Sequence, residues 1–296
     1  MSAPDLTTPD PEALATAPPA HRRRLILREP TAVAGVLLLA VLTAAALFAP
    51  LIAGYDPAAV EPANRLQPPS AEHWFGTDNL GRDVFARVVH GGRASLGVGA
   101  AVVLAAVGTG ALIGLVTGYY RSADAILMRF VDGLMAFPGL VLAIALIGVL
   151  GPGVETVVIA LSLVYAPRVA RVVRGSALVV KDQAMVEAAR QMGAPGRYIV
   201  ARHIAPHCLS PIIVQASFIF SYAVLGEAAL SFLGVGVPPS IPTWGNVLTE
   251  ARTYLQEAWW MAIFPGLFIV AGVLALNLVG DALRDFFDPK LRRRRA

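Results

Sequence analysis

The sequence predicts an all-α membrane protein that crosses the bilayer six times. Its composition is strongly apolar, with 56% hydrophobic and only 15% charged residues, whereas soluble domains carry about 25% charged residues. Six runs are free of charge or nearly so, and an α-helix needs about 20 apolar residues to cross about 30 Å of hydrocarbon. The remaining positive charges gather between alternate runs. Together these three observations indicate a polytopic helical bundle.

Each apolar run predicts one span. In chain order the runs are 30–55, 94–120, 133–154, 156–167, 208–235 and 258–280. The alternative for the first run is a cleaved signal peptide. The long polar segment before this run and the length of the run itself argue against that alternative. The fourth run is the weakest, because Arg168, Arg171 and Arg174 follow it closely. Arginines can snorkel to the interface, so we expect this helix to continue into water.

The positive charges predict the orientation of the bundle. With the N-terminus inside, nineteen of the 24 Lys and Arg residues fall in cytoplasmic segments. The outer segments 56–93 and 236–257 then hold only Arg65, Arg82, Arg87, Arg93 and Arg252. We therefore expect both termini in the cytoplasm, together with a large loop at 174–207.

One membrane domain, residues 30–285, is expected between two tails. Residues 1–29 form a basic tail that starts with a polar, Pro-rich stretch without apolar periodicity, so we expect it to be disordered. Residues 286–296 form a second basic tail, whose arginines at 292–295 we interpret as an anchor on anionic lipid. The net charge of +4 thus follows from topology, and no nucleic-acid partner is expected.

The chain shows no motif for chemistry of its own. A P-loop needs a lysine after glycine, and neither Lys181 nor Lys290 has one. The single cysteine, Cys208, excludes an intrachain disulfide. His203 and His207 are four residues apart, but Pro206 lies between them and no carboxylate is near, so the zinc signal is weak. We expect no metal, no cofactor in this chain and no catalytic residue.

Glu227 is the one carboxylate well inside an apolar run, whereas Asp132 and Glu155 stand at span ends. An ionisable residue within a membrane span is a functional candidate, so Glu227 is predicted to belong to a pathway or gate. The alternative is a structural role, in which it bonds polar groups of a neighbouring helix. An ion-coupled secondary carrier and a structural membrane subunit without transport both remain possible on this pattern.

Residues 187–206, EAARQMGAPGRYIVARHIAP, form a polar segment inside the predicted cytoplasmic loop. Glu187, Ala188 and Ala189 favour a helix, Gly193 ends it, and Pro195 suits the start of a second helical piece. From the pattern alone, this helical pair is equally compatible with a connector packed on its own bundle and with a helix laid into a groove of a partner protein.

The segment resembles the EAA loop of permease subunits of ABC importers. In that pattern E-A-A is followed after three residues by G, and nine residues later by I-x-L-P. The matching positions are Glu187, Ala188, Ala189, Gly193 and Pro206. His203 stands where the general pattern has Ile, as in the peptide-permease branch, and Ala205 replaces Leu. The resemblance implies that these residues, with His203 and with Arg197 of the same loop, couple the chain to an ATPase.

Four further motifs are similar to the C-type subunit of dipeptide, oligopeptide and nickel permeases. They are FGTDNLGRD at 75–83, EAALSFLGVG at 227–236, PTWG at 242–245 and NLVGDALRD at 277–285. Five motifs in one order are more specific than any one of them alone. The resemblance covers nearly the whole chain from about Pro30.

The resemblance implies a type I ABC importer permease fold in a bacterial inner membrane. This subunit would pair with a second, different permease subunit and form half of the pathway. Two ATPase subunits, or one fused ATPase, would bind ATP and Mg, and an external binding protein would deliver the solute. Di- or oligopeptides are the expected solutes, with nickel as the alternative.

Overall fold

The computed structural model describes residues 30–287, and this part of the chain is predominantly helical. The helices are α1 Pro30–Leu47, α2 Ala49–Ile52, α3 Val84–Tyr119, α4 Arg121–Met135, α5 Gly139–Leu150, α6 Val154–Lys181, α7 Ala184–Gln191, α8 Gly196–Phe232, α9 Trp244–Ala251 and α10 Trp260–Phe287. The predicted tail 1–29 and residues 288–296 of the second tail lie outside the described residues. The all-α prediction is confirmed.

Five helices within residues 30–287 are long and apolar enough to cross a membrane, namely α1, α3, α6, α8 and α10. Counted as one span, the bent pair α4 and α5 makes six, which is the predicted number. Most of these helices extend beyond their apolar runs. For example, α3 begins at Val84 rather than at residue 94, because Asp83 caps it by accepting a hydrogen bond from the Ala86 N–H at 2.6 Å.

The third predicted span, 133–154, is not one straight helix. Pro138 lacks an N–H and disfavours helical geometry at the residue before it, and the chain bends by 93° between α4 and α5. With 12 residues, α5 is about 18 Å long, which is too short to cross about 30 Å of hydrocarbon by itself. Likewise, residues 121–132, which lie between two of the predicted spans, form most of α4.

The fourth predicted span, expected to be the weakest, is a continuous 28-residue helix, α6, with Pro167 in its interior. It packs closely on α3, because glycines at four-residue spacing let the two backbones approach. A Cβ on Gly110 would lie 2.6 Å from the Ala166 carbonyl oxygen, and one on Gly114 would lie 2.6 Å from that of Ala170. The position of α6 is therefore determined by backbone-level contact with α3.

Two apolar clusters fill the described bundle. One runs along the α3–α6 seam to α7 and includes Val102, Val173 and Ile204. The other lies at the opposite end, around the indole of Trp244, where α3, α9 and α10 meet. The bundle thus has an end at α7, the predicted inner end, and an end at α9, the predicted outer end.

Candidate functional site

The predicted coupling loop folds as two helices joined by a tight turn, with α7 ending at Gln191 and α8 starting at Gly196. Gly193 has a φ of +78°, a left-handed conformation that favours glycine. Its N–H donates to the Arg190 carbonyl at 3.0 Å, and the Ala194 N–H donates to that of Ala189 at 3.1 Å. This pair of bonds is a Schellman motif, which sets the angle between the two helices.

One side of the loop packs on the bundle. Val186, Ile199 and Ile204 are fully buried and Ala189 is 3% exposed, and all four belong to the cluster along the α3–α6 seam. Lys181, the last residue of α6, donates to the Tyr119 carbonyl at 2.8 Å and so ties α6 to the end of α3. The loop is therefore anchored to both long helices.

The other side of the same loop is exposed. Ala188, Gly193, Arg197 and Pro206 all lie on the surface. Glu187 is also exposed, and its carboxylate accepts hydrogen bonds from Arg190 at 3.0 Å and Gln191 at 2.8 Å. Among the exposed side chains, Met192 is 81% and Tyr198 is 51% accessible. The surface thus combines charge, small residues and two large apolar side chains.

The second helix of the loop continues directly into a predicted span. Gly196–Ile199, a π-helical turn at Val200–Ile204 and the helix Ala205–Phe232 together form α8. The π turn lies next to Pro206, which has no N–H to donate to the preceding turn. His203 is half-buried within the π turn, with its ring 5.8 Å from that of Tyr198. Any displacement of the loop would therefore act on α8 itself.

Glu227 is fully buried inside the subunit. Its carboxylate accepts a hydrogen bond from Ser95 of α3 at 3.1 Å and one from Ser231 of its own helix at 2.8 Å. The Ser95 hydroxyl in turn accepts a hydrogen bond from the backbone N–H of Trp244, the first residue of α9, at 3.1 Å. These bonds join two of the recognised motifs, EAALSFLGVG and PTWG, and favour the structural interpretation of Glu227.

The FGTDNLGRD motif folds around Asp78 at the predicted outer end. The Asp78 carboxylate accepts from Arg82 and from Arg87, each at 2.6 Å. Both arginines also pair with Glu250 of α9. Asp78 is fully buried and Arg87 is 1% exposed, so the two positive and two negative charges compensate one another. The motif therefore fastens the outer segment to α3 and α9.

Sequence reasoning missed Glu250 and Ser95, because neither lies in a motif or near its partner in the chain. Arg82 and Arg87 entered only as outer charges, because residues 78–82 form a turn and not a helix, so their spacing gave no signal of an ion pair. In residues 30–287 no group of three or more His, Cys, Asp or Glu side chains could hold a metal ion. The His207 ring bonds the His203 carbonyl oxygen.

Comparisons with known proteins agree with these motifs. The family described as "Binding-protein-dependent transport system inner membrane component" matches residues 106–293. The family described as "N-terminal TM domain of oligopeptide transport permease C" matches residues 22–69.

Curated relatives match over almost their whole length. The chain is 46% identical, over 91% of each sequence, to a protein of Brucella suis named as a peptide transport system permease protein. It is 40% identical to a dipeptide transport system permease protein of Alkalihalophilus pseudofirmus, over 99% of this chain and 97% of the relative. It is 44% identical to a glutathione transport system permease protein of Pectobacterium atrosepticum, over 91% and 90%.

Proposed function

The chain belongs to the family of inner membrane components of binding-protein-dependent transport systems, and from this we propose that it is the C-type permease subunit of a peptide importer. As a member with several apolar helices, it is a multi-pass inner membrane protein. Peptides are proposed as solutes because the relatives are named for peptide, dipeptide and glutathione transport. A family that works with a binding protein does not fit the ion-coupled carrier considered above.

The two-sided loop is the observation that carries the proposed coupling role. Its buried side holds the loop on α3 and α6, while Glu187, Ala188 and Arg197 face outward. A connector that only packed on its own bundle would not need to expose Met192 and Tyr198 at its tip. Apolar side chains beside charged ones are typical of surfaces that bind another protein. We assign this surface to an ATPase subunit.

The coupling loop would transmit motion of the ATPase subunits to α8. The chain itself is proposed to be non-catalytic, with ATP and Mg bound by two ATPase subunits or one fused ATPase. Closure of the ATPases would displace α7, and the rigid turn at Gly193 would pass the displacement to α8. With 37 residues, α8 is about 55 Å long, so it connects the docking surface to the far side of the membrane. A second permease subunit would complete the pathway in alternating access.

The predicted outer end offers a surface for the external binding protein. Segments 56–83 and 236–257 pack on the bundle, yet they expose apolar side chains: Val60, Trp74, Leu80, Ile241 and Leu255. Exposed apolar side chains clustered at one end are typical of a protein-binding surface. Delivery of solute at this end matches the predicted orientation.

A reversal of charge at Glu187 tests the assignment. Glu187 is exposed and bonds only to its own helix, so Glu187→Lys should leave the fold intact within about 1 kcal/mol. We expect it to reduce co-purification of the ATPase subunits and peptide uptake in a complex expressed with its partner subunits. The matched control is Glu155→Lys, the same change at an exposed position in the first turn of α6, outside both proposed binding surfaces. Wild-type uptake by the Glu187→Lys complex would contradict the coupling role of the loop. Uptake of nickel in place of peptide by the wild-type complex would contradict the proposal that the solute is a peptide.

A further inference from the structure

Arg168 lies near the middle of a membrane-spanning helix. With 28 residues, α6 is about 42 Å long, and Arg168 is about 21 Å from its start at Val154. The hydrocarbon core is about 30 Å thick, so this arginine lies at membrane depth. The arginines nearer the far end of α6 mark that end, since Arg174 bonds Asp124 of α4 at 2.5 and 2.8 Å.

Arg168 does not reach toward the interface at that far end. Side chains on a helix lean toward its N-terminus, which here is the end at Val154. The Arg168 guanidinium lies over the ring of Tyr222 of α8, 5.1 Å from the ring centre. Tyr222 is itself about 15 Å from Phe232, the end of its helix. The guanidinium is therefore held against α8, about 15 Å from the end of that helix.

Arg168 has no carboxylate partner within residues 30–287. The neighbouring arginines of the same helix both pair with α4, Arg171 with Asp132 at 2.6 Å and Arg174 with Asp124. Arg168 is exposed on the surface of the subunit. An uncompensated cation at membrane depth is costly against lipid, and such residues face a water-filled cavity or a bundle interior.

A polar contact and a cavity lie about one helical turn before Arg168 on α6. The Tyr165 hydroxyl donates to the Tyr222 carbonyl at 3.0 Å. Tyr165 also lines a cavity of about 210 Å³, together with Val164, Gly226 and Gly139. Gly139 is the first residue of α5, where the third span is broken, and irregular backbone at membrane depth occurs where it is buried in protein or lines a water-filled cavity.

The break and the arginine lie at about the same level. From Leu150 back to Gly139, α5 covers about 18 Å, and from Val154 forward to Arg168, α6 covers about 21 Å. The two helices adjoin each other in the chain at Leu150 and Val154. Gly139 at the start of α5 and Tyr165 of α6 line one cavity, and Arg168 follows Tyr165 by about one helical turn.

We propose that Arg168, positioned by Tyr222 and adjoining Tyr165, binds a carboxylate of the transported peptide as it passes through the membrane. This inference rests on the proposed function. The ring of Tyr222 supports the guanidinium through a cation–π contact, while its N–H edge stays free to donate paired, charge-assisted hydrogen bonds to a carboxylate. Arg171 and Arg174 of the same helix are neutralised by aspartates. No carboxylate within residues 30–287 neutralises Arg168.

Uptake of two matched peptides by the complete complex tests the inference. Vesicles containing this chain, its partner subunits and the binding protein are given one peptide with a free C-terminal carboxylate and its C-terminal amide. For each peptide, uptake by the Arg168→Gln complex is divided by uptake by the wild-type complex. This ratio does not depend on which peptide the binding protein prefers. We expect uptake of the free peptide to fall about tenfold or more, the loss typical of a charge-assisted hydrogen bond, and uptake of the amide to change little. Arg171→Gln, which breaks an ion pair of the same helix, should affect both peptides alike.

Three results would overturn the inference or its premise. An equal loss for both peptides would show that Arg168 pairs with the second permease subunit instead. No loss for either would place it off the pathway. A wild-type complex that moves no peptide would reject the proposed function, and this inference with it.

A second measurement is independent of the solute. In a Cys208→Ser background, Arg168→Cys should react with a water-soluble thiol reagent in the assembled complex, because a pathway position is hydrated. Absence of reaction would overturn the inference.

Discussion

The carboxylate of Glu227 accepts a hydrogen bond from the hydroxyl of Ser95 at 3.1 Å, which joins α8 to α3 inside the subunit. The Ser95 hydroxyl also accepts from the backbone N–H of Trp244 in α9. Through Ser95, the buried carboxylate of Glu227 therefore links α8, α3 and α9. Residues more than a hundred positions apart in the chain meet here, and the contact explains why a charged residue is tolerated within an apolar run.

Substitution of Glu227 should separate hydrogen bonding from charge. Glu227→Gln keeps an oxygen acceptor for one serine and an N–H₂ donor for the other, so we expect near wild-type stability and uptake. Glu227→Ala leaves Ser95 and Ser231 without their acceptor, and should destabilise the subunit by about 1–3 kcal/mol. Thermal unfolding of the detergent-purified complex measures the difference. A stable Glu227→Gln complex that does not transport would instead support the gate role.

The turn of the coupling loop should be sensitive to its φ value. Pro at position 193 cannot adopt +78° and removes the N–H that bonds Arg190, so Gly193→Pro should misplace α7 and uncouple uptake from ATP hydrolysis or prevent assembly. Gly193→Ala should cost about 1–2 kcal/mol locally and have a weaker effect. The measurement is peptide uptake per ATP hydrolysed. Gly175→Ala is the control, since a Cβ there meets nothing within 4 Å; wild-type coupling in Gly193→Pro would refute the role of the turn.

The buried ion-pair cluster of the outer end should depend on Arg87. Arg87→Ala leaves Asp78 buried with fewer compensating charges, and breaking a buried pair from one side costs about 3–5 kcal/mol. We expect a large fall in thermal stability and in the yield of assembled complex. Arg65→Ala is the control, because Arg65 is exposed and its guanidinium bonds the hydroxyl and lies over the ring of Tyr254. Equal stability of the two variants would show that the cluster does not hold the outer segment in place.

The α3–α6 seam should reject a single methyl group. Gly114→Ala places a Cβ 2.6 Å from the Ala170 carbonyl oxygen. The two helices must shift to avoid this overlap, which should destabilise the subunit by about 1–3 kcal/mol. Gly108→Ala, on the same helix but with open space around its Cβ, should be neutral or gain up to about 1 kcal/mol from helix propensity. Thermal unfolding of both variants provides the comparison. A neutral Gly114→Ala would mean that the two helices can separate at little cost.

The sequence by itself determined the class and the family of this protein and indicated which apolar runs can cross a membrane. Apolar length, the placement of arginines and the spacing of short motifs are properties of the linear chain, and each can be read without knowing which helices touch. The EAA segment and the FGTDNLGRD motif were recognised in this way, and the comparisons confirm the family that they indicated.

Only the tertiary structure decided how the polar residues are used. The apolar run at 133–154 contains Pro138, and the chain bends there by 93° between α4 and α5, while ion pairs hold α4 on α6. Glu250 becomes the partner of Arg87, and Arg168 is left without a carboxylate among the described residues, through contacts between distant helices. The physical reason is that the free energy of a buried charge depends on which groups surround it in space. Hydrophobic length specifies that a helix spans the membrane, but packing specifies what its polar side chains meet.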